Sequence, residues 1–118
     1  MVGVEGLSFP DEPVLLWEYD AVAGRLAVSV AGGLHDAVTG GIDSPIELVI
    51  GPAASFSGTR FPVGSSPQHV TGVIEQLKEI CECGLGATAG WLAGFGSVSG
   101  DWLRYEYMGP ATANWRDH

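Results

Sequence analysis

The side chains best suited to metal ligation, nucleophilic attack or proton transfer in this chain are two cysteines, three histidines and fourteen carboxylates. Cys81 and Cys83 with His69 offer three soft ligands. A structural zinc site takes four, and its cysteines usually stand with two residues between them. No metal is expected, and Cys81 reads as part of a buried stripe. As a nucleophile Cys83 is poorly placed, at the expected C-terminal end of a helix among Glu79 and Glu82, where negative potential keeps a thiol protonated. Gly84-Leu85-Gly86 followed by Gly90 follows an expected helix, whereas a dinucleotide loop must follow a strand and open a helix. No cofactor is expected. His35-Asp36, with Asp43 in the same loop, has the residue types of a general base or metal ligand. No serine motif, second histidine or carboxylate pair completes it, so a solvated loop is the expectation. An enzymatic or small-molecule site using the 32–45 loop is kept as an alternative.

What sets the chain apart is charge. Fourteen Asp and Glu stand against five Lys and Arg, for a formal −9. Such a surface repels nucleic acid and anionic lipid and attracts basic partners. The carboxylates are spread among apolar segments, which marks a folded acidic surface and not an acidic tail. With 46% hydrophobic residues in 118, one domain with one core is expected over 1–118, frayed at about 1–10 and 110–118. The first ten residues carry no Lys or Arg, hence no secretory signal, and the cytoplasm is the expected compartment with both thiols reduced. The apolar tract 84–98 is shorter than the roughly 20 residues that span a bilayer, so no membrane segment is expected.

These residues must be positioned by a few elements. Val14 to Asp20 and Arg25 to Val30 alternate with period two around a short turn at 21–24, predicting a hairpin. Ile46, Leu48 and Ile50 predict a third strand, with a short fourth around Ala54 and Phe56, and the tract 91–97 and Asp101 to Met108 predict further strands. Ser66 and Pro67 can cap and open a helix. Val70, Val73, Ile74, Leu77 and Cys81 then form a stripe at helical spacing, closed near Gly84. The expected fold class is α+β: a mainly antiparallel sheet of four to six strands, with one amphipathic helix over 66–83 packed on one face.

Trp17, Trp91, Trp102, Tyr105 and Tyr107 cannot all be buried on two-faced strands, so some aromatic surface is expected among the carboxylates. That is the composition of an interface aimed at a basic protein. The expected partner-binding set is Glu18, Asp20, Asp36, Asp43, Glu75, Glu79 and Glu82, with Trp17 and Trp102 as anchors. In size, acidity, the order of sheet then helix and the Trp17-Glu18 strand, the chain resembles the small cytoplasmic immunity proteins of bacterial polymorphic-toxin and contact-dependent inhibition systems. The resemblance implies a non-enzymatic inhibitor that covers the active site of a cognate toxin domain, often a basic nuclease. No family residue transfers by position. Besides the loop site above, a structural or self-assembling subunit is the other alternative.

Overall fold

The computed structural model describes residues 2–70, 74–96 and 100–116, and among them every regular element is a strand. In chain order these are β1 (Val2–Gly3), β2 (Leu7–Ser8), β3 (Glu12–Asp20), β4 (Arg25–Val30), β5 (Leu34–His35), β6 (Ile46–Ile50), β7 (Ser55–Phe61), β8 (Gln68–Val70), β9 (Leu77–Leu85), β10 (Ala89–Gly96), β11 (Trp102–Met108) and β12 (Ala111–Asn114). Ten of them form one sheet in the order β1-β12-β6-β4-β3-β9-β10-β11-β7-β8, and β2 pairs with β5. All pairings are antiparallel.

The β3–β4 hairpin follows directly from its alternation. Asp20 lies opposite Arg25, and its Oδ1 accepts the backbone N–H groups of Val22 (3.0 Å) and Ala23 (3.1 Å), which fixes the turn. An irregularity between Val14 and Leu16 shifts the register. Val14, Trp17 and Tyr19 therefore turn inward while Leu15 and Leu16 are exposed.

β3 also joins the two halves of the sheet. Its later residues pair with β4, while Glu12 and Pro13 pair with Ile80 and Glu79 of β9. The two halves meet in one core, where Leu26, Val28, Leu48 and Ile50 pack with Leu77, Ile80, Leu92 and Leu103. Ring contacts cross the layers: Trp17 to Tyr105 at 5.7 Å and Tyr19 edge-on to Phe56 at 5.3 Å.

The helix expected over 66–83 is not formed, so the α+β class gives way to an all-β fold. Its first part is β8 and its last part is β9, while Thr71 and Val73 lie outside the described residues. The physical reason is in the β9 register. Ala93 pairs with Glu82, Gly94 with Ile80, Phe95 with Glu79 and Gly96 with Leu77, so Cys81 and Lys78 are inserted at irregularities. Each insertion lets the next core residue turn inward after three positions, which places Leu77, Ile80 and Cys83 inside. A spacing of three resembles a helical stripe, yet it arises here from two irregularities in a strand.

Segments near both ends pair within the sheet. β12 pairs with β6 and β1 pairs with β12, while Val4, Leu7 and Phe9 are buried. Gly6, at φ +85°, makes the turn that allows this. Ser97 and Val98 of the apolar tract and the terminal Asp117 and His118 lie outside the described residues. No described helix is long and apolar enough to cross a membrane.

Candidate docking face

β9, β10, β11 and β7 are neighbours, and their side chains alternate between the core and the outer surface. On β11, Leu103, Tyr105 and Tyr107 are buried, which turns Trp102, Arg104, Glu106 and Met108 outward. The register sets these against their neighbours. Glu79 is opposite Phe95, Phe95 opposite Trp102, and Trp102 opposite Phe61, giving one row across four strands. Phe95 is 43% exposed and Phe61 39%, so this row is open to solvent. Phe95 and Trp102 meet edge to face at 5.3 Å. The next row runs Glu82, Ala93, Arg104, Thr59, and the one after it Gly84, Trp91, Glu106, Ser57. The indole of Trp91 lies across Gly84, where any Cβ would collide with its Nε1. Arg104 Cζ stands 4.8 Å from the Trp91 ring centroid, and its Nη2 is 3.5 Å from Glu106 Oε1. Aromatic rings and the carboxylates of Glu79, Glu82 and Glu106 thus share one solvent-facing sheet surface.

Compared with protein-family models, with curated proteins and with solved structures, the chain gives no match in any of the three. The functional reading therefore rests on the geometry.

Of the residues expected to bind a partner, Glu79, Glu82 and Trp102 lie on this face. Glu75 is tied into a network: its Oε1 is 3.5 Å from Arg60 Nη1 and its carbonyl oxygen accepts the Tyr105 hydroxyl at 2.7 Å, while Arg60 Nε donates to Asp101 at 2.8 Å. Glu18 and Asp20 face outward on β3, opposite Ala27 and Arg25, in the other half of the sheet. Asp36 sits beside Gly6, and Asp43 lies near Trp115 and Arg116. Trp17 turns inward against Tyr105, and its Nε1 is buried with no hydrogen-bond partner among the described residues. The structure therefore divides the acidic set among separate surfaces. It adds Phe61, Trp91, Phe95, Arg104, Glu106 and Met108, of which the alternation of Asp101 to Met108 was the one readable signal.

The groups considered for catalysis or metal binding do not assemble. Nδ1 of His35 accepts the Ala37 N–H at 3.1 Å, its ring tilts against Trp115 at 5.4 Å, and its loop is closed by paired bonds between Gly33 and Ile42 (3.1 and 2.7 Å). His69 sits on β8, separated from β9 by β7, β11 and β10. Cys81 donates to Glu79 Oε1 at 3.6 Å, whereas Cys83 points to the Leu7 carbonyl at 3.9 Å. Asp11, Glu79 and Cys81 do have donor atoms within 4.8 Å of one another. Burial, then hydrogen bonding to Asp11 and Glu79, pushes the Cys81 thiol up to about 12, so at neutral pH it is a protonated hydrogen-bond donor. Burial likewise pushes Cys83 up to about 11, against a smaller opposing pull from the Phe9 backbone.

Both folded values exceed the ordinary 9.0. The thiols therefore contribute stability that is fully present below pH 9 and is lost as pH rises through about 11 to about 12. At pH 8 they are expected to react with iodoacetamide at least about tenfold more slowly in the folded chain than in urea. Equal rates would contradict this environment.

Proposed function

We propose that this chain is a non-enzymatic binding module that docks a basic protein on the outer face of β9, β10, β11 and β7. The row Glu79, Phe95, Trp102, Phe61 carries the reading. With strands about 4.8 Å apart the row is roughly 14 Å long, the scale of the apolar centre of an interface. Aromatic residues held on a rigid sheet lose little side-chain entropy on binding, and the flanking Glu79 and Glu82 steer a cationic partner toward them. The formal −9 extends that attraction over the whole molecule. Two copies stacked on this face would bring like charges together, which favours a foreign partner over self-association.

Toxin neutralisation is the form of this function that the resemblance to immunity proteins implies, with a basic toxin domain as partner in the cytoplasm. The sheet-then-helix order no longer supports that resemblance, so size, acidity and the docking face support it. The test is capture from lysate at low and high salt, with the native chain and a Phe95→Ser/Trp102→Ser variant as baits. A basic protein held by the native chain, released by salt and missed by the folded variant is the expected outcome. Equal retention by both baits would refute the docking face, and retention of the bait alone would favour the self-assembling alternative.

A further inference from the structure

At the end of the docking face away from Phe95 and Trp102, the surface sinks into a groove of about 630 Å³, within the ~300–1,000 Å³ range of ligand sites. Gly84, Gly86 and Gly90 contribute only backbone to it, while Trp91 and Met108 supply apolar walls. Glu106 is the charged residue among those that line it, so the groove carries a negative potential with no cation of its own lining. Arg104, just outside that lining, shows what the combination recognises. Its guanidinium lies over the Trp91 ring at 4.8 Å and reaches Glu106 at 3.5 Å. Both members of that ion pair are well exposed, with side-chain accessibilities of 45% and 62%, and a pair this long and this wet contributes little. A better-placed cation can displace it.

We propose that this groove receives an arginine side chain of the basic partner, with its guanidinium stacked on Trp91 and paired with Glu106 in place of Arg104. The proposal rests on the docking reading and names the group that the partner inserts. Arginine fits better than lysine because its planar cation stacks on an indole and its forked donors match a carboxylate, whereas an ammonium is a compact and more strongly hydrated charge.

The test is a ¹H–¹⁵N titration of the whole chain with a capped tetra-arginine peptide, beside capped tetra-lysine and a neutral Gly-Ser tetrapeptide. Shifts are expected to centre on the Trp91 indole N–H, assigned by its loss in Trp91→Phe, and on the amides of Gly84, Gly86 and Gly90. Tetra-lysine is expected to bind more weakly and the neutral peptide not at all. Glu106→Gln is expected to weaken tetra-arginine binding about tenfold, the loss of one charge-assisted contact, without altering the rest of the spectrum. Shifts spread evenly over other acidic surfaces such as Glu18 and Glu47, equal binding of tetra-lysine, or undiminished affinity in Glu106→Gln would each overturn the arginine site. Against the captured protein, binding lost in Phe95→Ser/Trp102→Ser but unchanged in Glu106→Gln overturns the groove alone. Binding unchanged in both overturns the docking reading, even where tetra-arginine still occupies the groove.

Discussion

A Gly94→Ala substitution is expected to destabilise the protein by about 3 kcal/mol or more, the range of severe overpacking. For a domain of this size that corresponds to a fall in Tm of roughly 10 to 20 °C. The added Cβ would overlap the carbonyl oxygen of Glu79 and come within 3.0 Å of Ile80 Cα. Both are backbone atoms of β9 at its irregular register, held by ladder bonds to β10 on one side and to β3 on the other. Neither can rotate away as a side-chain tip would. Ile80 is fully buried, so separating the strands also opens the core where the two halves of the sheet meet. Gly86→Ala is the control, since its Cβ meets only the Ala89 carbonyl oxygen at 3.1 Å, and a cost of about 1 kcal/mol or less is expected. Thermal and urea unfolding of the two variants would check this. A Gly94→Ala chain that melts within a few degrees of the native one would show that β9 is free to move. Because Glu79 and Phe95 flank this contact, the same glycine also holds one end of the docking row.

The second large effect concerns association. Glu79→Lys/Glu82→Lys is expected to slow binding of the basic partner by about ten- to a hundredfold at low salt, the scale of electrostatic steering. Glu18→Lys/Glu47→Lys, which makes the same change to the formal −9 on the opposite half of the sheet, is expected to slow it only about two- to threefold. Raising the ionic strength to about 1 M, where the screening length is near 3 Å, should bring all the rates together. The Phe95→Ser/Trp102→Ser variant acts on the other rate constant, since losing desolvated anchors speeds dissociation more than it slows encounter. Stopped-flow or surface-based kinetics with the captured protein separates these effects. An equal loss of on-rate in both charge-reversed pairs would mean that net charge alone steers the partner and that no face is preferred.

The parts of the fold that were legible in the sequence are those in which a strand keeps its period of two. Strands β4, β6 and β11 place their apolar residues on alternate positions, and the core contains Leu26, Val28, Val30, Ile46, Leu48, Ile50, Leu103, Tyr105 and Tyr107 as that alternation requires. Where insertions interrupt the period, as at Lys78 and Cys81 in β9, a strand imitates a helix and local reading fails. Pairing over long sequence separations is equally invisible, because nothing in Ala111–Asn114 or Leu7–Ser8 names β6 or β5 as its partner.

By itself, then, the sequence determined an acidic molecule, a core of alternating strands and a surplus of aromatic residues too large to bury. Only the tertiary structure decided that Glu79, Glu82 and Trp102 share a face with Phe61, Phe95 and Glu106, while Trp17 turns into the core and Glu18, Asp20, Asp36 and Asp43 lie elsewhere. The reason is that composition and period are properties of a segment. A shared surface depends on register between strands far apart in the chain, and in this protein that register is set by the irregularities of β9 and by the division of β3 between β4 and β9.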